Sequence, residues 1–453
     1  MASAAEQLAA NMNIGAFSKA TELHKRIWFT LGALIVYRIG TFIPIPGLNI
    51  ARYQEMFERQ SSGILGMFNM FSGGAIQNMA IFALNVMPYI SASIIVQLLG
   101  TIYPPWEKLR KEGGEAGRKT LNQYTRYLTV VLALGQSFVI ASGLSGQAGV
   151  VTQPGLFFIV STVATLTGGT LMLMWLGEQI TSRGVGNGVS LLIFAGIVAG
   201  LPGGVLRLFQ IGSETSGGAG TVFLILGLAI VVVVAIVFME RSQRRILVQY
   251  PKRQQGNRMF GGETSFLPLK INTSGVIPPI FASSLLLLPT TMMNFVAQGN
   301  LPAWTEAWLP QMVGALQHGQ PAFMVCYGLL IVFFCFFYTS VVFNPEDTAE
   351  NLRKYGGFLP GIRPGKRTAE YLDFVLTRLT VIGAAYIAAV CLLPEFLISF
   401  MNSPQQTRAL GGTSILIVVS VTMDTVTQIQ SHLLAHQYEG LIKKSKLRGS
   451  RAR

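Results

Sequence analysis

The side chains that could do chemistry are few and poorly placed for catalysis. His432 and His436 stand four apart, which puts two imidazoles on one helix face. A metal site needs further ligands, and none lies nearby in sequence. Asp424 is the only acid well inside an apolar stretch. A carboxylate there faces a bundle interior and takes a partner, a role open to Arg38 or Arg378. Without a chain of further acids it makes a poor proton relay. Gly184-Val185-Gly186-Asn187-Gly188 is glycine-rich but has no lysine, so it reads as a tight turn rather than a phosphate loop. Cys326, Cys335 and Cys391 each lie in an apolar run, which excludes a disulfide scaffold and argues against a metal or redox pair. No Walker-type loop, metal-spaced set or serine nucleophile motif is present. The expectation is a protein that is no enzyme and holds no cofactor.

A second set of positions is informative for what it lacks. An ion-coupled transporter places several polar or charged groups at the membrane midplane. Here the midplane reads Val86, Ile90, Ile193, Ile280 and Ile417. Such a lining cannot bind a solute specifically, but it can close a path, because an aliphatic constriction dewets and blocks ions. Its contacts are non-directional, so it also fits a passing chain of varied side chains.

Two polar excursions are larger than topology requires. In residues 240–272, Ile246–Tyr250 predicts a strand, followed by a turn at Gly256-Asn257 and a return toward Phe260. In residues 344–374, the prolines and glycines of 356–367 specify a rigid, exposed loop. Both fit either attraction to anionic lipids or a docking face for a large cytosolic partner. Basic loops also suit the phosphates of ribosomal RNA.

The elements that must position these residues are membrane helices. Hydrophobic residues make up 51% of the 453, and charged residues only 12%. No charge occurs between Arg59 and Glu107, Arg126 and Glu178, Lys270 and Glu306, or Glu306 and Glu346. A spanning helix needs about 20 apolar residues. Ten spans follow: 27–43, 79–103, 127–142, 155–175, 189–209, 221–239, 274–295, 322–343, 375–393 and 413–429. Of the 34 Lys and Arg, 29 fall on one side and four on the other, with Arg38 inside the first span. The positive-inside rule then puts both termini in the cytoplasm. Residues 1–26 form a cytoplasmic N-terminus without the apolar core of a secretory signal, and 433–453 a basic tail. Spans 1–5 occupy 27–209 and spans 6–10 occupy 210–432. An odd number per half makes the second half enter from the opposite side, the arithmetic of an inverted repeat. Between the first two spans, Gly63–Asn78 is apolar but broken by glycines and too short to span. It reads as a re-entrant half-helix plugging a path or as an amphipathic helix lying in the interface.

Several stretches resemble the SecY family of protein-conducting channel subunits over essentially the whole chain. They are Gly40-Thr41-Phe42-Ile43-Pro44-Ile45-Pro46-Gly47, Met67-Phe68-Asn69-Met70-Phe71-Ser72-Gly73-Gly74, Ile81-Phe82-Ala83-Leu84 and Met87-Pro88-Tyr89-Ile90-Ser91-Ala92-Ser93-Ile94. Further matches are Trp175-Leu176-Gly177-Glu178-Gln179-Ile180-Thr181, Gly186-Asn187-Gly188 and Phe358-Leu359-Pro360-Gly361-Ile362-Arg363-Pro364-Gly365.

The resemblance implies an all-α polytopic membrane protein. Its ten transmembrane helices form two inverted five-helix halves around an hourglass pore, with a re-entrant plug. The plug falls on Gly63–Asn78, including Met67 to Gly74. The pore ring falls on Val86, Ile90, Val189, Ile193, Ile280 and Ile417. Val86 and Val189 are smaller than the isoleucine often found in the family but keep its aliphatic character. A lateral gate lies between the second and seventh spans, where Ser91, Gln136 and Ser284 are polar candidates. Arg363 matches the arginine used in SecA-dependent translocation, and Lys252, Arg253 and Arg258 match the basic tip of the other docking loop. The implied partners are SecE, SecG, the SecA motor ATPase, the ribosome, signal peptides and unfolded or nascent polypeptides, in the bacterial cytoplasmic membrane. The residue reading alone keeps a secondary transporter and an insertase or scaffold without an aqueous pore open.

Overall fold

The structure is a computed structural model. It describes residues 21–60, 69, 71–111, 113–147, 149–214, 218–250, 253–255, 258–260, 264–296, 320–401 and 412–450. A helix stands at each of the ten expected spans. These are α1 (Thr21–Gly40), α3 (Met87–Ile102), α5 (Gly114–Ser145), α6 (Leu156–Arg183), α7 (Gly188–Glu214), α8 (Gly218–Arg241), α9 (Ile277–Val296), α10 (Pro321–Val342), α12 (Lys366–Met401) and α13 (Gly412–Ser450). Shorter amphipathic helices α2 (Ile50–Gln60), α4 (Pro104–Lys111) and α11 (Pro345–Lys354) lie between them. Among the described residues, α5, α6, α7, α8, α10 and α12 carry stretches long and apolar enough to cross a membrane by themselves, while α3 and α9 are shorter apolar helices. The chain is a multi-pass membrane protein with a helical membrane portion.

Local rules account for the helix boundaries. Asn344 caps α11, accepting from the Glu346 N–H at 3.1 Å, with Pro345 opening the helix. Glu346 and Asp347 then sit in its first turn and Arg353 and Lys354 in its last, each sign matching the helix dipole. Pro202, inside the Gly-Leu-Pro-Gly-Gly run of the fifth span, does not end α7, which continues to Glu214. Arg378 lies inside α12 and rests its guanidinium 4.1 Å from the Phe374 ring centre.

The second span is shorter than its apolar run. Residues 72–86 form a series of turns, and helix begins at Met87. Met79 and Asn85 take positive φ values of 43° and 50°, which a continuous helix forbids. Strand-like pairing satisfies the freed backbone: Ile45 N–H donates to Met79 O at 3.0 Å and Ile81 N–H to Ile43 O at 2.9 Å.

The chain divides into two compact units, Met1–Gly203 with Val421–Arg453, and Gly204–Ser420. In the first, α5 packs on α6 and α3, and α1 on α6. A buried Ser137–Thr167 hydroxyl pair at 3.2 Å joins α5 to α6. So does Arg126, whose guanidinium grips Glu178 through two bonds of 2.9 and 2.7 Å. In the second, α10 packs on α12 and α9, and α11 on α12. Its polar part is a hairpin: β1 (Gln243–Gln249) pairs antiparallel with β4 (Thr264–Lys270), and β2 (Arg253–Gln255) with β3 (Arg258–Phe260). The expected strand at Ile246–Tyr250 is there. Its partner strand is 264–270, and β2 and β3 flank Gly256-Asn257, so the chain returns through Phe260 as expected.

Candidate functional site

The densest polar wiring of the first unit surrounds residues 69–86. Internally, Asn69 Oδ1 accepts from the Gln77 N–H at 2.9 Å, and the Ser72 hydroxyl donates to Asn69 O at 3.1 Å. Externally, α1 holds the segment by two side chains. The Tyr37 hydroxyl donates to Ser72 O at 3.2 Å, and the Arg38 guanidinium donates to Gly73 O and to the Thr41 hydroxyl. Arg38 also lies 4.8 Å from the Phe42 ring centre. From α2, the Tyr53 hydroxyl donates to Ile76 O at 3.0 Å, and burial pushes that phenol above its usual pKa. Phe71, Ser72 and Ala75 are buried. In its described residues, 69 and 71–78, the segment expected to plug a path is thus chiefly a hydrogen-bonded run of turns rather than a half-helix. Met67, Phe68 and Met70 lie outside the described residues.

Two further contacts of this segment, at Asn85 and Gly196, stand beside expected ring positions. Asn85 donates to Phe71 O at 3.0 Å and directly precedes Val86. Val86 is the fully buried cap of α3, and Ile90 follows one turn on, its N–H donating to Val86 O at 3.0 Å. On α7, a Cβ at Gly196 would collide with Phe71 O and come within 3.1 Å of the Tyr37 hydroxyl. Only glycine permits that approach. Ile193, buried, precedes Gly196 by three residues and so shares its helix face. Val189 is half-buried and turns its Cγ2 toward Gly177 of α6. Ile280 and Ile417, both buried, belong to the second unit.

Of the expected gate residues, Ser91 is buried on α3 and Gln136 half-buried on α5. Ser284 is buried on α9 and donates to Ile280 O at 2.8 Å. Of the docking residues, Arg363 is exposed, Arg253 and Arg258 sit on β2 and β3, and Lys252 lies outside the described residues. Asp424 is exposed on α13. The bonds of Arg38 go to Gly73 and Thr41, and Arg378 rests on Phe374.

Tyr37, Asn85 and Gly196 have no role in the reading of the sequence, where Arg38 enters only as a partner for Asp424. Two of them carried a signal. Arg38 is a charge inside an apolar span, and Asn85 is the lone amide of Phe82–Ile90.

The SecY family model matches residues 80–426. A relative from Rickettsia typhi, protein translocase subunit SecY, is 51% identical over 439 residues, covering 95% of this chain and 99% of the relative. The chain belongs to the SecY family. Protein translocase subunit SecY of Escherichia coli K12 is likewise 51% identical, over 435 residues, covering 94% of this chain and 96% of its own. Among solved structures, this SecY-family chain resembles one described as a protein-conducting channel (TM-score 0.65, 17% identity), covering 90% of this chain and 92% of that one. It also resembles Sec61 in the canine ribosome–channel complex (TM-score 0.61, 16% identity), with the same coverage. At such identities the structural likeness establishes the fold.

Proposed function

We propose that this chain is the pore subunit of a protein-conducting channel. It passes unfolded secretory polypeptides across the cytoplasmic membrane and releases membrane segments sideways into it. The observation that carries this reading is the position of the plug segment. Its carbonyls at Phe71, Ser72 and Gly73 are taken by Asn85, Tyr37 and Arg38, and two of its contacts flank Val86 and Ile193. Such anchors hold a closed state yet can exchange for water, because each hydrogen bond contributes only about 0.5–3 kcal/mol net.

In this reading Val86, Ile90, Val189, Ile193, Ile280 and Ile417 line the constriction between two inverted halves. The empty ring dewets and excludes ions. A translocating chain displaces the plug and fills the ring through non-directional apolar contacts. Ser91, Gln136 and Ser284 hold the lateral gate by separable polar contacts. The chain supplies no catalytic step, and energy comes from the motor ATPase or the ribosome. Arg363 docks the motor, while Lys252, Arg253 and Arg258 extend the same face toward the motor and ribosomal RNA. SecE and SecG complete the complex, and both termini face the cytoplasm. The relatives' name, protein translocase subunit, and the ribosome–channel complex among the similar structures support this assignment.

The test is reconstitution of the purified chain with SecE and SecG in liposomes. With motor and ATP, an unfolded secretory polypeptide should become protease-protected inside. Uptake of a small solute without polypeptide translocation would replace this reading with a secondary transporter. Membrane insertion without protected polypeptide would replace it with an insertase.

A further inference from the structure

The two polar excursions of the second unit are joined. Gln249 ends β1, and its N–H donates to Phe358 O at 2.9 Å while the Phe358 N–H donates back to Gln249 O at 3.0 Å. Phe358 therefore pairs beside β1 on the edge opposite β4. The next residue, Leu359, is buried with Ile246 and Leu269 of the hairpin and Leu372 and Val375 of α12, and Ile362 packs against the same cluster. Behind the turn, Thr368 is buried, and its hydroxyl donates to the Arg363 carbonyl at 3.0 Å. Arg363 itself is exposed. A single guanidinium thus stands on a backbone fixed by a strand pair on one side and a buried hydroxyl on the other.

Charge separates the two loops. Residues 240–272 carry seven Lys and Arg against two acids, while 344–374 carry five of each sign. Diffuse attraction to phosphates needs an excess of positive charge. A balanced loop presenting one fixed arginine suits a stereospecific bond instead, since guanidinium binds carboxylate through two parallel N–H donors.

We propose that the β1–β4 hairpin and the 356–368 turn form one docking block, in which Gln249, Leu359 and Thr368 are positioning residues that hold Arg363 toward a carboxylate on the protein motor. This rests on the motor-docking role of Arg363 proposed above. The hairpin then serves as the rigid base of the arginine as well as a contact surface of its own.

The test uses the reconstituted channel, with translocation measured against motor concentration. Thr368→Val keeps the shape and removes the bond. The half-saturating motor concentration should rise about fivefold, matching the loss of one hydrogen bond. Maximal rate should not change, thermal unfolding should fall by no more than the loss of one hydrogen bond, and Thr368→Ser should behave as the parent. In an Arg363→Glu background, Thr368→Val should add nothing, because the group it positions is gone. Paired cysteines at Gln249→Cys and Phe358→Cys face each other at a hydrogen-bonded antiparallel pair, within disulfide reach. Oxidising them should leave translocation intact. Parent-like motor dependence of Thr368→Val, an added loss in the Arg363→Glu background, or inactivation by the disulfide would each overturn the docking block. A shift in motor-free ribosome binding with no shift in motor dependence would overturn the assignment to a protein carboxylate. A silent Arg363→Glu would instead sink the motor-docking role on which the inference rests.

Discussion

Gly196 is the residue where the plug segment has least room. Its α-carbon sits so close to Phe71 O and Gly73 N that any side chain must push backbone aside. Gly196→Val should therefore disfavour the closed arrangement by about 1–3 kcal/mol, the usual cost of overpacking. A folded channel with raised resting ion conductance in planar bilayers is the expected outcome. Parent-level conductance from a folded variant would show that this contact does not hold the plug. None of this was legible at Gly196, one of many glycines in an apolar helix. Its role depends on what approaches it, and the approaching carbonyl lies 125 positions away in sequence. Arg38 was half legible. Its charge in an apolar span demanded a partner, but sequence could offer only another charge, whereas the Gly73 carbonyl and the Thr41 hydroxyl accept its bonds.

At the scale of elements, the proposed plug segment is more firmly held than its glycine breaks suggest. A loop with few buried contacts belongs to the low-stability end of a structure, and its deletion costs little. Here Phe71, Ser72 and Ala75 are buried, and the segment takes bonds from Tyr37, Arg38, Tyr53 and Asn85. Deleting Phe71–Asn78 strands those donors and opens a cavity. A stability loss of about 2–5 kcal/mol is expected, read as an earlier thermal unfolding transition. An unchanged transition would return the segment to the status of a loose loop. Six of the membrane helices were legible from apolar length alone, and the others from charge-free gaps and flanking breakers. The start of the second was not. Residues 79–86 are as apolar as the helix that follows; Pro88 favours a start there, and the pairing of 79–81 with 43–45 takes up the backbone before it. The hairpin was visible as a strand at Ile246–Tyr250 with a return toward Phe260, but the strand 264–270 that pairs with it was not. The alternation that identifies a strand says nothing about which distant strand completes it.

At the scale of the whole molecule, the proposed ring draws on residues of each unit: Val86, Ile90, Val189 and Ile193 belong to the first, Ile280 and Ile417 to the second. Aliphatic side chains have no chemistry that marks them as a site, and in sequence they differ from ordinary core only by resemblance to a family. On the proposed reading, the positions on α3 and α7 take their role from their place beside Asn85 and Gly196, which contact the proposed plug segment. The central claim is that a polypeptide passes through this ring. The most direct measurement places a photo-crosslinking side chain at Ile90, Ile193, Ile280 or Ile417, one at a time, and arrests a secretory polypeptide midway through the reconstituted channel. Passage through the ring predicts a crosslink to the same short stretch of the arrested chain from each of the four positions. An arrested, protease-protected chain that crosslinks to none of them would contradict it.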